Sequence, residues 1–261
     1  MTDLLQVFLL GLIEGITEFL PISSTGHLLI AEHWLGARSD VFNVVIQLGA
    51  ILAVVLIYWQ RLVKLTLGFT QPENRDYLLK LLFAFLITAV GGFIAKKLGL
   101  KLPETVGPVA WALIIGGLVI LAVEWKAAQW SESTRVTWVV AIAVGLAQIV
   151  AAVFPGTSRS AATIFAAMLV GLTSRAAATE FAFIVGIPTM FAASGYEMLK
   201  LMKDSAGAAH ESLTALGVGF VVSAIVAFVA VKWLLGYIQT HRFTLFAWYR
   251  IALGTGLLLW L

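Results

Sequence analysis

The stretch EGITEFLPISSTGH, residues 14–27, sets two carboxylates, a run of hydroxyls and a histidine inside sequence otherwise apolar enough for a lipid bilayer. Pro21 cannot continue the helix begun upstream, and Ser23, Ser24 or Thr25 can cap a second one. The apolar region 4–35 is thereby cut into halves that are each short of the ~20 residues needed to cross the hydrocarbon core. A re-entrant helical hairpin is expected, its tip buried in protein or lining a wet cavity, because irregular backbone survives at membrane depth only there. FPGTSRSAAT, residues 154–163, interrupts a second apolar region, 136–172, in the same way.

Around these hairpins, six apolar stretches are read as spanning helices: residues 42–59, 77–95, 106–125, 180–200, 213–235 and 243–261. Of the 261 residues, 61% are hydrophobic and 12% charged, and the mean hydropathy is +0.97. These values exclude a soluble domain and imply an all-α polytopic membrane protein. The net charge of +3 contains no long basic run that could follow a nucleic-acid backbone, so nucleic acid is excluded as a partner. Cysteine is absent, which removes thiolate chemistry and disulfides. Asp3 stands where a signal peptide would be basic, so no cleaved leader is expected.

The interrupted regions align at an offset of about 134 positions, pairing Gly11 with Gly145, Glu14 with Gln148, Pro21 with Pro155 and Ser24 with Ser158. One integral domain of two repeats is expected, about 1–130 and 131–261. Each holds one hairpin and three spans, an odd number, so the second copy is inverted and a binding site is expected where the broken helices meet. Loop cations orient the chain. On the side away from the N-terminus lie Arg61, Lys64, Arg75, Lys80, Lys126, Arg135, Arg175, Lys232 and Arg242, against Arg38, Lys96, Lys97, Lys101, Lys200 and Lys203 on the other. This bias puts both termini outside.

Charge within a bilayer is costly and is kept where it functions. Glu14 and Glu18, one helical turn apart, repel unless a divalent metal or Arg159 lies between them. The hydroxyl-capped half-helix after Pro21 aims its first N–H groups at an anion. Gly26 lets a ligand approach, and His27 can exchange a proton near neutral pH. A serine-rich cap alone would be only a cap; the carboxylates, glycine and histidine beside it give it chemistry. In the second tip Ser158, Arg159 and Ser160 repeat the design, Arg159 supplying a planar fork suited to a phosphoryl group. Gln47 and Asn43 either line the cavity or join helices. Arg250, in FAWYR, needs a partner and is expected on substrate or on a buried glutamate. Arg175 and Glu180 are read as structural, and Trp34, Trp59, Trp111, Trp125 and Trp130 as interfacial.

EGITEFLPISSTGH, followed by FNVVIQLGAILAV, PGTSRSAAT, SRAAATEFAF and FAWYR, closely resembles the bacterial undecaprenyl-diphosphate phosphatase family, also called the bacitracin-resistance family, over nearly the whole chain. The resemblance implies removal of the terminal phosphate from undecaprenyl diphosphate, a divalent cation (Mg or Ca), and six spans with two re-entrant hairpins. It places the site on the periplasmic side of the inner membrane. Its functional residues fall on Glu14, Glu18, Ser23, Ser24, Thr25, His27, Ser158, Arg159 and Ser160. Two departures are Ala161, often Gly in the family, and Asn43, acidic in many members.

The expected mechanism has Arg159, the half-helix N-termini and a cation on Glu14 and Glu18 neutralising the head group. Ser24 or water attacks with His27 as base, or His27 itself becomes phosphorylated. Substrate contacts are assigned to Ser23, Thr25, Gly26, Gln47, Ser158, Ser160 and Arg250. Expected partners are a polyprenyl diphosphate and membrane lipid, with a homodimer admitted. The alternative is a carrier-lipid flippase or anion transporter on the same fold.

Overall fold

The computed structural model describes residues 3–100, 102, 105–203 and 211–260, and among them it has eleven α-helices and no strand. Lys101, counted above for orientation, lies outside the described residues, as does Leu261 at the end of the last expected span. Pro and hydroxyl residues break the chain where the sequence suggests. The first interrupted region becomes α1 (Asp3–Thr17) and α2 (Ser24–Leu35), the second α7 (Trp138–Val153) and α8 (Arg159–Leu169). These halves have 15, 12, 16 and 11 residues. At the rise of an α-helix each covers roughly 16 to 24 Å, short of the ~30 Å hydrocarbon core.

Five helices are long and apolar enough to cross a membrane: α3 (Asp40–Ile57), α5 (Pro72–Lys97), α6 (Val106–Ala127), α9 (Arg175–Lys203) and α10 (Leu213–Thr240). The sixth expected span is α11 (Thr244–Trp260), of 17 residues. An additional short helix, α4 (Trp59–Leu67), follows α3 after a turn at Tyr58. It buries Leu65 and packs on α5, with Lys64 exposed and Arg61 turned onto the Tyr77 ring. Several boundaries differ from the expectation. α5 begins at Pro72, whose ring presets the first helical turn. α9 begins at Arg175 and runs unbroken through Pro188, which its packed neighbours tolerate. α10 continues past Leu235 to Thr240.

Within a membrane helices gain little from hydrophobic association, so close van der Waals packing over small residues holds them together. α1 and α3 lie on α10, α7 on α5, and α11 on α6. A Cβ added at Gly11 would stand 2.9 Å from the Gly219 carbonyl oxygen of α10, and one at Gly145 the same distance from the Ala84 oxygen of α5. Thr88 of α5 reinforces the second crossing by bonding the Gly145 carbonyl at 3.1 Å. The matched glycines of the two hairpins thus meet α10 and α5 in the same manner. Large apolar side chains point away from the bundle: Leu86, Phe93, Ile225 and Val229 are more than half exposed, as suits a lipid-facing surface.

Buried aromatic pairs tie the first tip to α9 and α8 to the segment before α11. Phe19 meets Phe183 edge to face with centroids 5.3 Å apart, and Phe165 meets Phe243 at 5.2 Å. Two arginines, in three ion pairs, fasten the bundle. Glu124 accepts both Arg175 Nε (2.9 Å) and Nη2 (2.5 Å) together with the Phe243 amide (3.0 Å). Arg38 joins Asp3 and Glu211. Glu180 pairs with Arg61 at 3.0 Å, so Arg175 and Glu180 are both structural as expected. Trp34, Trp59, Trp111 and Trp125 are exposed, whereas Trp130 packs against the core.

A Cβ at Gly49 would overlap the Phe220 carbonyl oxygen, so α3 and α10 must separate to admit it. Gly49→Ala is expected to cost about 1–3 kcal/mol and to lower the unfolding temperature in detergent; an unchanged transition would contradict this packing.

Candidate active site

Ser23 caps α2 and Ser158 caps α8. Each side chain accepts from the amide three residues on, Gly26 at 3.4 Å and Ala161 at 3.3 Å. Both caps have positive φ, 73° and 67°, where a residue with a Cβ is disfavoured by ~1–3 kcal/mol. Such strain persists only where surrounding contacts over-determine it. By their caps the tips pair Ser23 with Ser158 and Ser24 with Arg159, one position off the 134-residue register that pairs Ser24 with Ser158. The first tip therefore presents a hydroxyl where the second presents a guanidinium, at the first position of each half-helix.

These two side chains meet on one carboxylate. Glu18, in the turn after α1, accepts Arg159 Nη2 on Oε1 and Ser24 Oγ on Oε2, the latter at 2.5 Å. The carboxylate is buried while Arg159 keeps about a quarter of its side chain exposed. Ser160 Oγ donates to the Leu20 carbonyl at 3.0 Å and lies 3.0 Å from Ser158 Oγ, tying the second tip to the first. Beside Glu18 and Arg159 lies a cavity large enough for about one water, walled by Phe19, Ser160, Thr163 and Phe183. With Arg159 paired to Glu18, this cavity has no room for a diphosphate.

His27 is not bonded to Ser24. Its Nδ1 donates to the Ser23 carbonyl at 2.7 Å, which fixes the proton on that nitrogen. In the neutral ring Nε2 then accepts from Tyr249 Oη at 2.6 Å, and the two rings stack 5.6 Å apart. Tyr249 was readable only as an aromatic beside Arg250 in FAWYR; nothing in the sequence pairs it with His27 across 222 positions. Thr25 is half-buried at the start of α2. Gly26 faces Leu113 and Val109 of α6, and an added Cβ would lie 3.4 Å from each, in ordinary contact, so helix packing alone does not demand a glycine there. Gln47 accepts from Ser194 at 3.3 Å and Asn43 donates to Glu32 at 3.1 Å, both joining helices.

Arg250 does not meet the buried glutamate that was one of its two expected partners. It touches no carboxylate and is wholly buried, donating only to backbone carbonyls.

A divalent cation would find few ligands already assembled: among the described residues no group of three or more Asp, Glu or His side chains gathers. Glu14 Oε2, however, is buried without a partner one turn from Glu18. One free carboxylate oxygen and a second carboxylate fit a Mg-type ion, which takes most of its oxygens from water and substrate phosphate, better than a Ca cage of six to eight ligands.

Residues 7–256 match the family model described as bacitracin resistance protein BacA. An undecaprenyl-diphosphatase of Rhizobium etli (strain CIAT 652) is 67% identical over 256 residues, which cover 98% of this chain and 96% of the relative. One from Xanthomonas euvesicatoria pv. vesicatoria (strain 85-10) is 62% identical over 261 residues, covering 100% and 98%.

Two outcomes follow from this geometry. Arg159→Lys should lower phosphatase activity by roughly tenfold or more in folded protein, because a point charge cannot serve Glu18 and a phosphate as a fork does; near-wild-type activity would reduce Arg159 to a salt-bridge partner. Glu14→Gln should weaken the apparent affinity for divalent ion and be partly rescued by more of it, whereas full wild-type activity in chelator would remove the ion from the account.

Proposed function

The chain belongs to the family of bacitracin resistance protein BacA, and from that membership we propose that it hydrolyses undecaprenyl diphosphate to undecaprenyl phosphate and inorganic phosphate, recycling the carrier lipid for cell-wall synthesis. The supporting observation within the chain is Glu18, which holds a hydroxyl and a guanidinium between two capped half-helices. In the proposed reaction the head group draws Arg159 off Glu18 and onto the terminal phosphate. Glu18, already hydrogen-bonded to Ser24 Oγ, takes the Ser24 proton as the hydroxyl attacks. Ser24 Oγ forms a bond to the terminal phosphorus, the bond to the bridging oxygen breaks, and the lipid monophosphate leaves. Water then cleaves the phosphoserine, releasing phosphate and restoring the hydroxyl.

Half-helix N–H groups and Arg159 stabilise the developing charge. Glu18 thus takes the basic role on Ser24 that the sequence assigns to His27. His27 is left to activate the second-step water, once Nε2 leaves Tyr249. Glu14 with Glu18 would hold a divalent cation, which when bound adds neutralisation at the phosphate oxygens. The isoprenoid tail stays in lipid.

The proposed arrangement is six spans and two re-entrant hairpins in inverted repeats, 1–130 and 131–261, within the bacterial inner membrane and with the site toward the periplasm. It is supported by the short half-helices and by the packing of α1 on α10 as α7 packs on α5. The loop-cation bias supports the orientation. A pure transporter would have no need of a hydroxyl bonded to a carboxylate beside an arginine.

Purified protein in detergent should release inorganic phosphate from a polyprenyl diphosphate, and Ser24→Ala should lower that rate at least about a hundredfold. Absence of phosphate release from folded wild type would overturn the reaction; an active Ser24→Ala protein would overturn the nucleophile.

A further inference from the structure

The proposed reaction leaves one buried ion unused. Arg250 has no exposed surface, and among the described residues no carboxylate pairs with it. Its guanidinium reaches five main-chain carbonyls on three segments. Nη1 donates to Pro21 (3.2 Å) in the first tip, and Nη2 to Gly156 (3.2 Å) and Thr157 (3.0 Å) in the second. Nη2 also reaches Ala112 (3.0 Å) and Nε reaches Leu113 (3.3 Å), both in α6.

Converging carbonyls repel one another in a low dielectric, and a delocalised cation with five donors in one plane can hold several together where an ammonium cannot. These tip carbonyls lie in the loops after α1 and α7, and the caps Ser23 and Ser158 follow within two residues. Fixing the carbonyls therefore fixes where both half-helix N-termini point. We propose that Arg250 is a positioning residue that pins the two hairpin tips to α6 and to each other, setting the spacing between Ser24 and Arg159. It is not a substrate ligand. The role rests on the phosphatase reading for its kinetic consequence, but not for its structural one.

Arg250→Lys and Gly116→Ala test it in full-length protein in detergent. A Cβ at Gly116 would overlap Arg250 Nη2, the mobile end of a long side chain, so the helix can accept the methyl while the arginine is pushed aside. Both variants should lose at least about tenfold in kcat with KM within about twofold, because ångström misplacement of reacting groups costs rate rather than contact. Hydrogen exchange, which does not depend on activity, should speed up in peptides covering both tips and stay unchanged in α5 and α10. A raised KM at constant kcat would make Arg250 a substrate ligand. Unchanged kinetics, or faster exchange in one tip only or throughout the bundle, would overturn the pin. Wild type that releases no phosphate would sink the reaction alone, leaving the exchange result to decide the pin.

Discussion

A buried carboxylate has to be neutralised, and the site is organised around how Glu18 meets that requirement. Losing water without compensation would cost several kcal/mol. Glu18 is compensated by a cation from one hairpin and a hydroxyl from the other, so the two tips cannot sit apart without exposing an unpaired charge. Chemistry follows from the same bond. In the proposed reaction the group that neutralises Glu18 is also the group that a phosphate attracts, so substrate binding and release of Glu18 from Arg159 are one event.

The rest of the bundle serves that junction. Short half-helices end inside the protein and leave their first N–H groups free for an anion. Strained caps at Ser23 and Ser158 are held by contacts on either side. Glycine seams let α1 and α7 come close enough to α10 and α5 to bury the tips, and the phenylalanine pairs tie the first tip to α9 and α8 to the segment before α11. Glu14 remains out of balance, buried with one oxygen unpartnered, and it marks where further positive charge would be accommodated.

Both breaks were legible because proline and hydroxyls in the middle of an apolar run end one helix and cap the next. Glu18, Ser24 and Arg159 were legible because polar side chains are costly there. That Ser24 bonds Glu18 rather than His27 was not, since bonding partners across a loop depend on side-chain direction. Arg250 misled for the same reason: in a helix apolar all round, sequence does not say which face turns inward. The register slip at the tips escaped because equal proline positions hide loops of different length. α4 did carry a signal, apolar residues spaced by three and four around Arg61 and Lys64, but the hydropathy of α3 ran straight into it.

The central claim is that Ser24, activated from Glu18, attacks the terminal phosphorus. Rapid quenching of wild-type enzyme with substrate labelled on that phosphate, followed by mapping of the phosphopeptide, tests it most directly. The account predicts an acid-stable, base-labile label on Ser24. An acid-labile label on His27, or no covalent label at any time during turnover, would contradict it.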